Sequence, residues 1–88
     1  MFLFAESLIE AGVLMGLSRE VAEVLATQTI LGSGVLLTES GESAATHRAA
    51  VTSPAGTTAA GLHQLELGGV RGAVLSAVQA ATERSREL

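Results

Sequence analysis

The stretch from Ser53 to Thr58 carries the residues of this chain best suited to bind an anion. Three hydroxyl side chains, a glycine and the only proline stand together there, between two apolar segments. Pro54 fixes its own φ and pushes Ser53 toward extended geometry, so a preceding helix should end near Thr52. A new helix can begin at Thr57, and its first turn would offer unpaired N–H groups and partial positive charge. The stretch is compatible with a small-carboxylate site, although pattern alone favours a capped turn between helices.

Two histidines and one arginine are the other candidates for chemistry. His47 and Arg48 fall on a short alanine-rich segment, where a solvated helix face is favoured over a catalytic or anion-binding pair. His63 has no carboxylate or second histidine at metal-ligand spacing, so no metal site is predicted. The sequence shows no nucleophile–base pair and no paired carboxylates in an evident pocket. We therefore expect a chain that binds and positions a substrate whose reactive partner lies elsewhere.

Gly32-Ser33-Gly34 has some likeness to a phosphate-binding loop. No strand precedes it and the third glycine of the dinucleotide fingerprint is missing, so this signal is weak. The favoured interpretation is that small residues let another helix approach closely, with Gln28 on the same packed seam.

Hydrophobic periodicity and helix-ending residues predict an all-α fold, a small multi-helix domain. Helices are expected at about residues 1–17, 19–39, 44–51, 57–67 and from 70 toward the end of the chain. Ser18 and Ser43 should be N-caps, and Gly41 should follow the C-terminus of the long helix. The inward residues are predicted to be Phe4, Leu8, Ala11 and Met15 in the first helix, Leu62 and Leu65 in the fourth, and Val70, Val74, Val78 and Ala81 in the last.

The composition points to a subunit interface. The chain has 88 residues, enough for one domain, and 48% of them are hydrophobic, with a mean hydropathy of +0.45. A domain of this size buries only roughly 60–65% of the surface that its unfolded chain exposes. The surplus apolar surface predicts a homodimer or a higher homo-oligomer.

Charge and cysteine content exclude several classes of partner. The net charge is −4 and the five basic residues are all arginines without an aromatic platform, so nucleic acid is not expected. The absence of cysteine fits a reducing compartment. The apolar N-terminal stretch Met1–Ala5 is interrupted by Glu6 and Glu10 and is too short to span a bilayer. A cytoplasmic protein without a membrane partner is the expectation.

A series of motifs spans nearly the whole chain in order. The central one is Ser53-Pro54-Ala55-Gly56-Thr57-Thr58, followed by Ala60-Gly61-Leu62, Leu65-Glu66 and Gly68-Gly69. Upstream stand Glu10-Ala11-Gly12-Val13, Gly16-Leu17 and Gln28-Thr29, and downstream the run from Ala77 to Ser85. Together they resemble the C-terminal domain of pyrroline-5-carboxylate reductase.

The resemblance implies a fold, a reaction and a site. The family reduces 1-pyrroline-5-carboxylate to L-proline with NAD(P)H in proline biosynthesis, using an N-terminal Rossmann domain for the cofactor and a C-terminal helical domain that interlocks with a second copy. The loop matching Ser53 to Thr58 would receive the carboxylate of this imino acid. The implied substrate-binding residues are Ser53, Ala55, Gly56, Thr57 and Thr58. Thr58 would also act in catalysis by orienting the substrate nitrogen.

The chain departs from the family pattern both in the central motif and in the domains that it contains. Ala55 stands where a second glycine is usual, which would cost on the order of 1 kcal/mol if that position needs positive φ. If φ is negative there, the methyl group would merely narrow the pocket. No strand–GxGxxG–helix unit is present, so residues 1–88 are expected to form a single C-terminal dimerisation domain without the Rossmann domain. We expect such a chain to be inactive alone. The alternative is a stand-alone, non-catalytic helical dimerisation module.

Overall fold

The computed structural model describes all 88 residues as five α-helices without a strand, which confirms the all-α prediction. The helices are α1 (Phe2–Leu14), α2 (Arg19–Glu39), α3 (Ala44–Ala50), α4 (Thr57–Leu67) and α5 (Val70–Glu87). Contacts between Cα atoms divide the chain into two units, Met1–His47 and Arg48–Leu88.

The helix ends follow from short-range hydrogen bonds. Ser18 Oγ accepts from the Val21 N–H at 3.2 Å and caps α2 as predicted. Gly41, with φ +72°, follows the C-terminus of α2. The first helix ends at Leu14 rather than near Leu17. The reason is that Gly16 adopts a left-handed conformation (φ +108°), and the Leu17 N–H donates to the Gly12 carbonyl at 3.0 Å.

In the first unit, α1 packs against α2 at a close crossing. Ala22 and Ala26 of α2 are the only buried residues of the chain. A Cβ built on Gly12 would lie 3.0 Å from Ala22 Cβ, so a glycine at this point lets the two backbones approach. The least exposed residues of α1 are Ala5, Ile9 and Gly12, which are spaced to share one helix face.

The inward face predicted for α1 is confirmed only in part. Leu8 lines the cleft against α2 together with Gly12, whereas Met15 is 77% exposed and the least exposed residues lie on the neighbouring face. The physical reason is backbone approach, because a face with alanine and glycine permits a closer crossing than one with phenylalanine and methionine. The close approach predicted at Gly32 and Gly34 is not made within this chain, where both Cβ positions are open.

In the second unit, α4 and α5 meet at a tight connection. Gly69 adopts φ +74°, and Arg71 Nε donates to Glu66 Oε1 at 2.8 Å across it. Leu62 and Val70 are partly buried, but Leu65 is 45% exposed, and the rest of the α5 stripe is open to solvent, with Val78 62% exposed. This unit has no buried residue, so the predicted stripe remains available for contacts that the single chain does not make.

The longest helix, α2, is also rich in apolar residues. By length and composition alone, α2 could cross a membrane, with a mean hydropathy of 1.4 over its most apolar window and 11% of that window buried. Helices that pack inside soluble proteins meet the same criteria. This property therefore does not distinguish a membrane-spanning helix from one that packs against protein, and the absence of a membrane partner stays a prediction.

Candidate functional site

A tight turn lies at the centre of the candidate site. After α3, Thr52 Oγ1 donates to the Arg48 carbonyl at 2.5 Å and the Thr52 N–H donates to Ala49 O at 3.2 Å, which closes the helix just before the proline. The chain then reverses over Ser53 to Gly56, where the Gly56 N–H donates to Ser53 O at 3.0 Å. Helix α4 follows at once, so the turn and the first helical turn form one continuous loop-to-helix segment.

Ala55 is the one non-glycine residue of the chain with positive φ, at +58°. Pro54 occupies the second position of the turn and Ala55 the third, the place where a type II turn requires a left-handed residue. Glycine adopts this conformation without a penalty, whereas the Cβ of alanine crowds the backbone. The first of the two possibilities for Ala55 thus holds, and the turn carries backbone strain.

Gly56 has no room for a side chain. A Cβ built there would collide with Ser53 Oγ and lie 3.2 Å from Ser53 O. Its backbone is extended (φ −80°, ψ 177°) and makes it the N-cap of α4, with no side chain capping the helix. Glycine is therefore required here because the turn leaves no space for a side chain, and not because the backbone adopts an unusual conformation.

The amides of this segment divide into engaged and unpaired donors. The Gly56 N–H is used inside the turn. The N–H groups of Ser53, Ala55, Thr57 and Thr58 donate to no acceptor within the chain. Those of Thr57 and Thr58 belong to the first turn of α4, whose carbonyl ladder begins only with Ala60 N–H to Gly56 O at 3.1 Å. Such a helix start can hold a carboxylate.

The predicted site residues lie together on this one segment, since they are nearly consecutive. Ser53, Ala55 and Thr57 are exposed, while Gly56 and Thr58 are half-buried. Ser53 contributes its carbonyl to the turn and its hydroxyl packs where a Gly56 side chain would be. None of these residues forms an ion pair with a charged side chain.

One contact outside this segment escaped the sequence analysis. Ser40 Oγ and His47 Nε2 are 2.7 Å apart, although the sequence indicated no hydroxyl–imidazole pair and favoured a solvated face for His47. The two residues are seven positions apart and lie on either side of the connection between α2 and α3. The periodicity of a single helix gives no indication of such a pair. The only signal in the sequence is a histidine seven residues after the serine that ends the long helix, with Gly41 between them.

The chain offers no group of histidine, cysteine or acidic residues that could hold a metal ion. Its residues also do not fit a dinucleotide site, because the only glycine cluster resembling one, Gly32-Ser33-Gly34, lies inside α2 with no strand before it. The candidate site supplies backbone donors, hydroxyls and a turn closed by a hydrogen bond.

Comparison with known proteins identifies the relatives of this chain. The family model described as pyrroline-5-carboxylate reductase dimerisation matches residues 1–88. Pyrroline-5-carboxylate reductase 3 of Danio rerio is 51% identical over 87 residues, which are 99% of this chain and 30% of the relative. The chain thus spans about a third of the length of the curated relatives that it matches.

Solved structures have the same helical arrangement. A Plasmodium falciparum pyrroline carboxylate reductase with NADP bound matches 96% of this chain and 34% of its own, with a TM-score of 0.93 and 44% identity. A 1-pyrroline-5-carboxylate reductase of Streptococcus pyogenes matches 99% of this chain and 34% of its own, with a TM-score of 0.95 and 38% identity.

Proposed function

The chain belongs to the pyrroline-5-carboxylate reductase dimerisation family, and from this membership we propose that it serves both dimerisation and binding of the substrate carboxylate in such a reductase. The proposed activity of the whole protein is reduction of 1-pyrroline-5-carboxylate to L-proline with NAD(P)H. Because this chain covers about a third of its relatives, that activity requires a further part of the protein. The nucleotide would be bound there, since the residues of this chain do not form such a site.

The unpaired amides at the start of α4 are the observation that carries the carboxylate proposal. The Thr57 and Thr58 N–H groups have no acceptor in the chain, and the helix dipole adds partial positive charge at the same point. The Ala55 amide, also unpaired, is the third candidate donor. Gly56 contributes by shaping the turn, because its own N–H is already donated to Ser53 O.

Thr58 is proposed to act on the substrate ring. Its side chain is half-buried one residue into α4, next to the amides that would hold the carboxylate. A ring nitrogen next to the carboxylate-bearing carbon would lie within reach of a hydroxyl there, which can orient it by a hydrogen bond. No acidic side chain is required for that task.

The carboxylate site is tested with a substitution that removes one N–H and little else. Proline is well tolerated at the first position of a helix, and the extended Gly56 is compatible with a following proline. We expect Thr57→Pro to fold and to weaken binding of L-proline by roughly 10- to 100-fold, the effect of losing a hydrogen bond to a charged acceptor. Thr57→Ala keeps the N–H and should bind like the parent chain.

The measurement is an amide-resolved NMR titration of the 88-residue chain, with pyrrolidine as the ligand that lacks a carboxylate. L-proline should move the Thr57 and Thr58 amide signals, and pyrrolidine should not. Equal responses to both ligands, or no response at high millimolar L-proline, would remove the carboxylate role. The dimerisation role would then stand alone, as a non-catalytic module would predict.

Exposed apolar side chains support the dimerisation role. On α2, Leu31 is 59% exposed and Val24 56%, and on α5, Leu75 is 72% exposed. Isolated apolar residues on a surface are ordinary, but here they follow the length of both helices while only two alanines are buried. We propose that a second copy covers them, interlocking with the first, and that contact with protein rather than lipid explains the apolar α2.

The mass in solution tests this assignment. Light scattering should give at least twice the 8.9 kDa of the single chain without detergent. A monodisperse monomer of 8.9 kDa would contradict it, and so would a requirement for detergent or vesicles to keep the chain in solution.

We also propose a cytoplasmic location for the protein and no nucleic-acid partner, consistent with its net charge of −4.

A further inference from the structure

Within the single chain, helix α3 has no buried apolar residue that could hold its first turn in place. It is seven residues long and contains no buried residue. It is joined to α2 by a connection that includes Gly41 with φ +72°. Because so short a helix gains little from propensity alone, hydrogen bonds at its beginning must carry much of its order.

Two serines supply those hydrogen bonds, in different ways. Ser43 Oγ accepts from the Thr46 N–H at 3.1 Å, an N-cap that acts only within α3. Ser40 Oγ lies just after the end of α2, accepts from the Glu42 N–H at 3.1 Å, and is hydrogen-bonded to His47 Nε2 at 2.7 Å. Only this last bond joins a side chain of α3 to the end of α2.

We propose that Ser40 and His47 form a strap that fixes the first turn of α3 against the end of α2. His47 is half-buried, in contrast to its neighbours in α3, which agrees with a side chain folded back over the connection. A net hydrogen bond shifts a local equilibrium by roughly 2- to 10-fold. In a segment without buried apolar contacts, a shift of that size separates a mostly ordered turn from a frequently open one. His47 is thus a positioning residue rather than a catalytic one.

The hydrogen bond itself is tested on the imidazole signals of the full chain. Ser40→Ala should change the ¹⁵N shifts of the His47 ring and leave those of His63 unchanged, since His63 is exposed on α4 and makes no hydrogen bond. An unchanged His47 ring would overturn the proposal. Equal changes at both histidines would overturn it too, because they would indicate a global effect rather than a lost contact.

The positioning role is tested by a double-mutant cycle on amide hydrogen exchange at residues 47–50. Ser40→Ala and His47→Ala should each raise the exchange rates by roughly 2- to 10-fold. The double variant should exchange no faster than the faster single variant. Ser40→Ala also removes the hydrogen bond from the Glu42 N–H, but this loss is the same whether residue 47 is histidine or alanine, so it cancels in the cycle. Additive effects would overturn the strap. His63→Ala is the matched control and should leave these rates unchanged.

Discussion

Ala55 concentrates the strain of the candidate site in one residue. Its φ of +58° is imposed from both sides: Pro54 fixes the preceding φ, and the Gly56 N–H closes the turn on Ser53 O. Residues held in this region persist only where their surroundings determine them, and they are frequent at functional sites. Positive φ at a residue with a Cβ therefore indicates that the neighbouring residues hold the turn in place.

Replacing Ala55 by glycine should stabilise the chain. Glycine removes the left-handed penalty, and we expect a gain of about 1 kcal/mol in the free energy of unfolding. Urea unfolding followed by circular dichroism, at one protein concentration, measures it. The matched control is Ala60→Gly in α4, where helical φ makes glycine unfavourable by about 0.5–1 kcal/mol. Losses of similar size in both variants would contradict positive φ at Ala55.

Gly56→Ala should disrupt the turn, and the disruption should depend on Ser53. The new Cβ would collide with Ser53 Oγ, an overpacking that costs about 1–3 kcal/mol. Ser53→Ala removes the hydroxyl, so the double variant should recover part of the loss, although Ser53 O at 3.2 Å remains close. The unfolding free energies of the two single variants and the double variant give the coupling. Losses that simply add would show that the collision is not the cause.

Among the helices, the crossing of α1 and α2 depends on the absence of one methyl group. Ala22 Cβ would lie 3.0 Å from a Cβ on Gly12, and an alanine side chain has no flexible end that can move aside. The first unit therefore owes its close contact to small residues rather than to large apolar ones. The larger apolar side chains are left for other contacts.

Gly12→Ala should destabilise the first unit despite the higher helix propensity of alanine. We expect a net loss of about 1–2 kcal/mol, since overpacking costs up to about 3 kcal/mol and propensity returns up to about 1 kcal/mol. Thermal unfolding at fixed concentration is the measurement. Gly72→Ala in α5 is the control, because its Cβ position is open and the substitution should be neutral or stabilising. A stabilised Gly12→Ala would rule out a close crossing.

At the scale of the whole molecule, a single chain leaves most of its apolar surface exposed. An exposed apolar face of α2 includes Leu31, Val35 and Leu36, at 59%, 45% and 54% exposure, beside the glycine at 32. Such a face is a suitable place for a helix of a second copy, and there the small residues of the long helix would permit a close approach.

A charge on that face should dissociate the assembly. Leu31→Arg is expected to raise the dissociation constant at least about tenfold, equivalent to about 1.4 kcal/mol, because an arginine would be buried without a partner. Light scattering over a dilution series measures the change. Gln64→Arg alters the net charge equally at an exposed position of α4 and should keep the parent mass. Equal dissociation by both variants would point to charge rather than to this face.

Local features of this protein could be predicted from its sequence because they depend on neighbouring residues. Ser18 and Ser43 cap helices through bonds that span a single turn, and Gly41 ends a helix by its own φ. The turn after Pro54 and the helix start at Thr57 follow from the same kind of short-range chemistry. The sequence therefore determined the helices, most of their ends and the turn at which the carboxylate site is proposed.

Other features depend on which segments meet, and only the tertiary structure decided them. The packed face of α1 was predicted only in part, because hydrophobicity favoured Phe4 and Met15, whereas backbone approach favoured Gly12. The contact of Ser40 with His47 likewise depends on how the connection between two helices folds. Hydrophobic periodicity indicates which face of a helix is apolar. Which faces pack together depends on the distances between segments, and those are set only when the chain has folded.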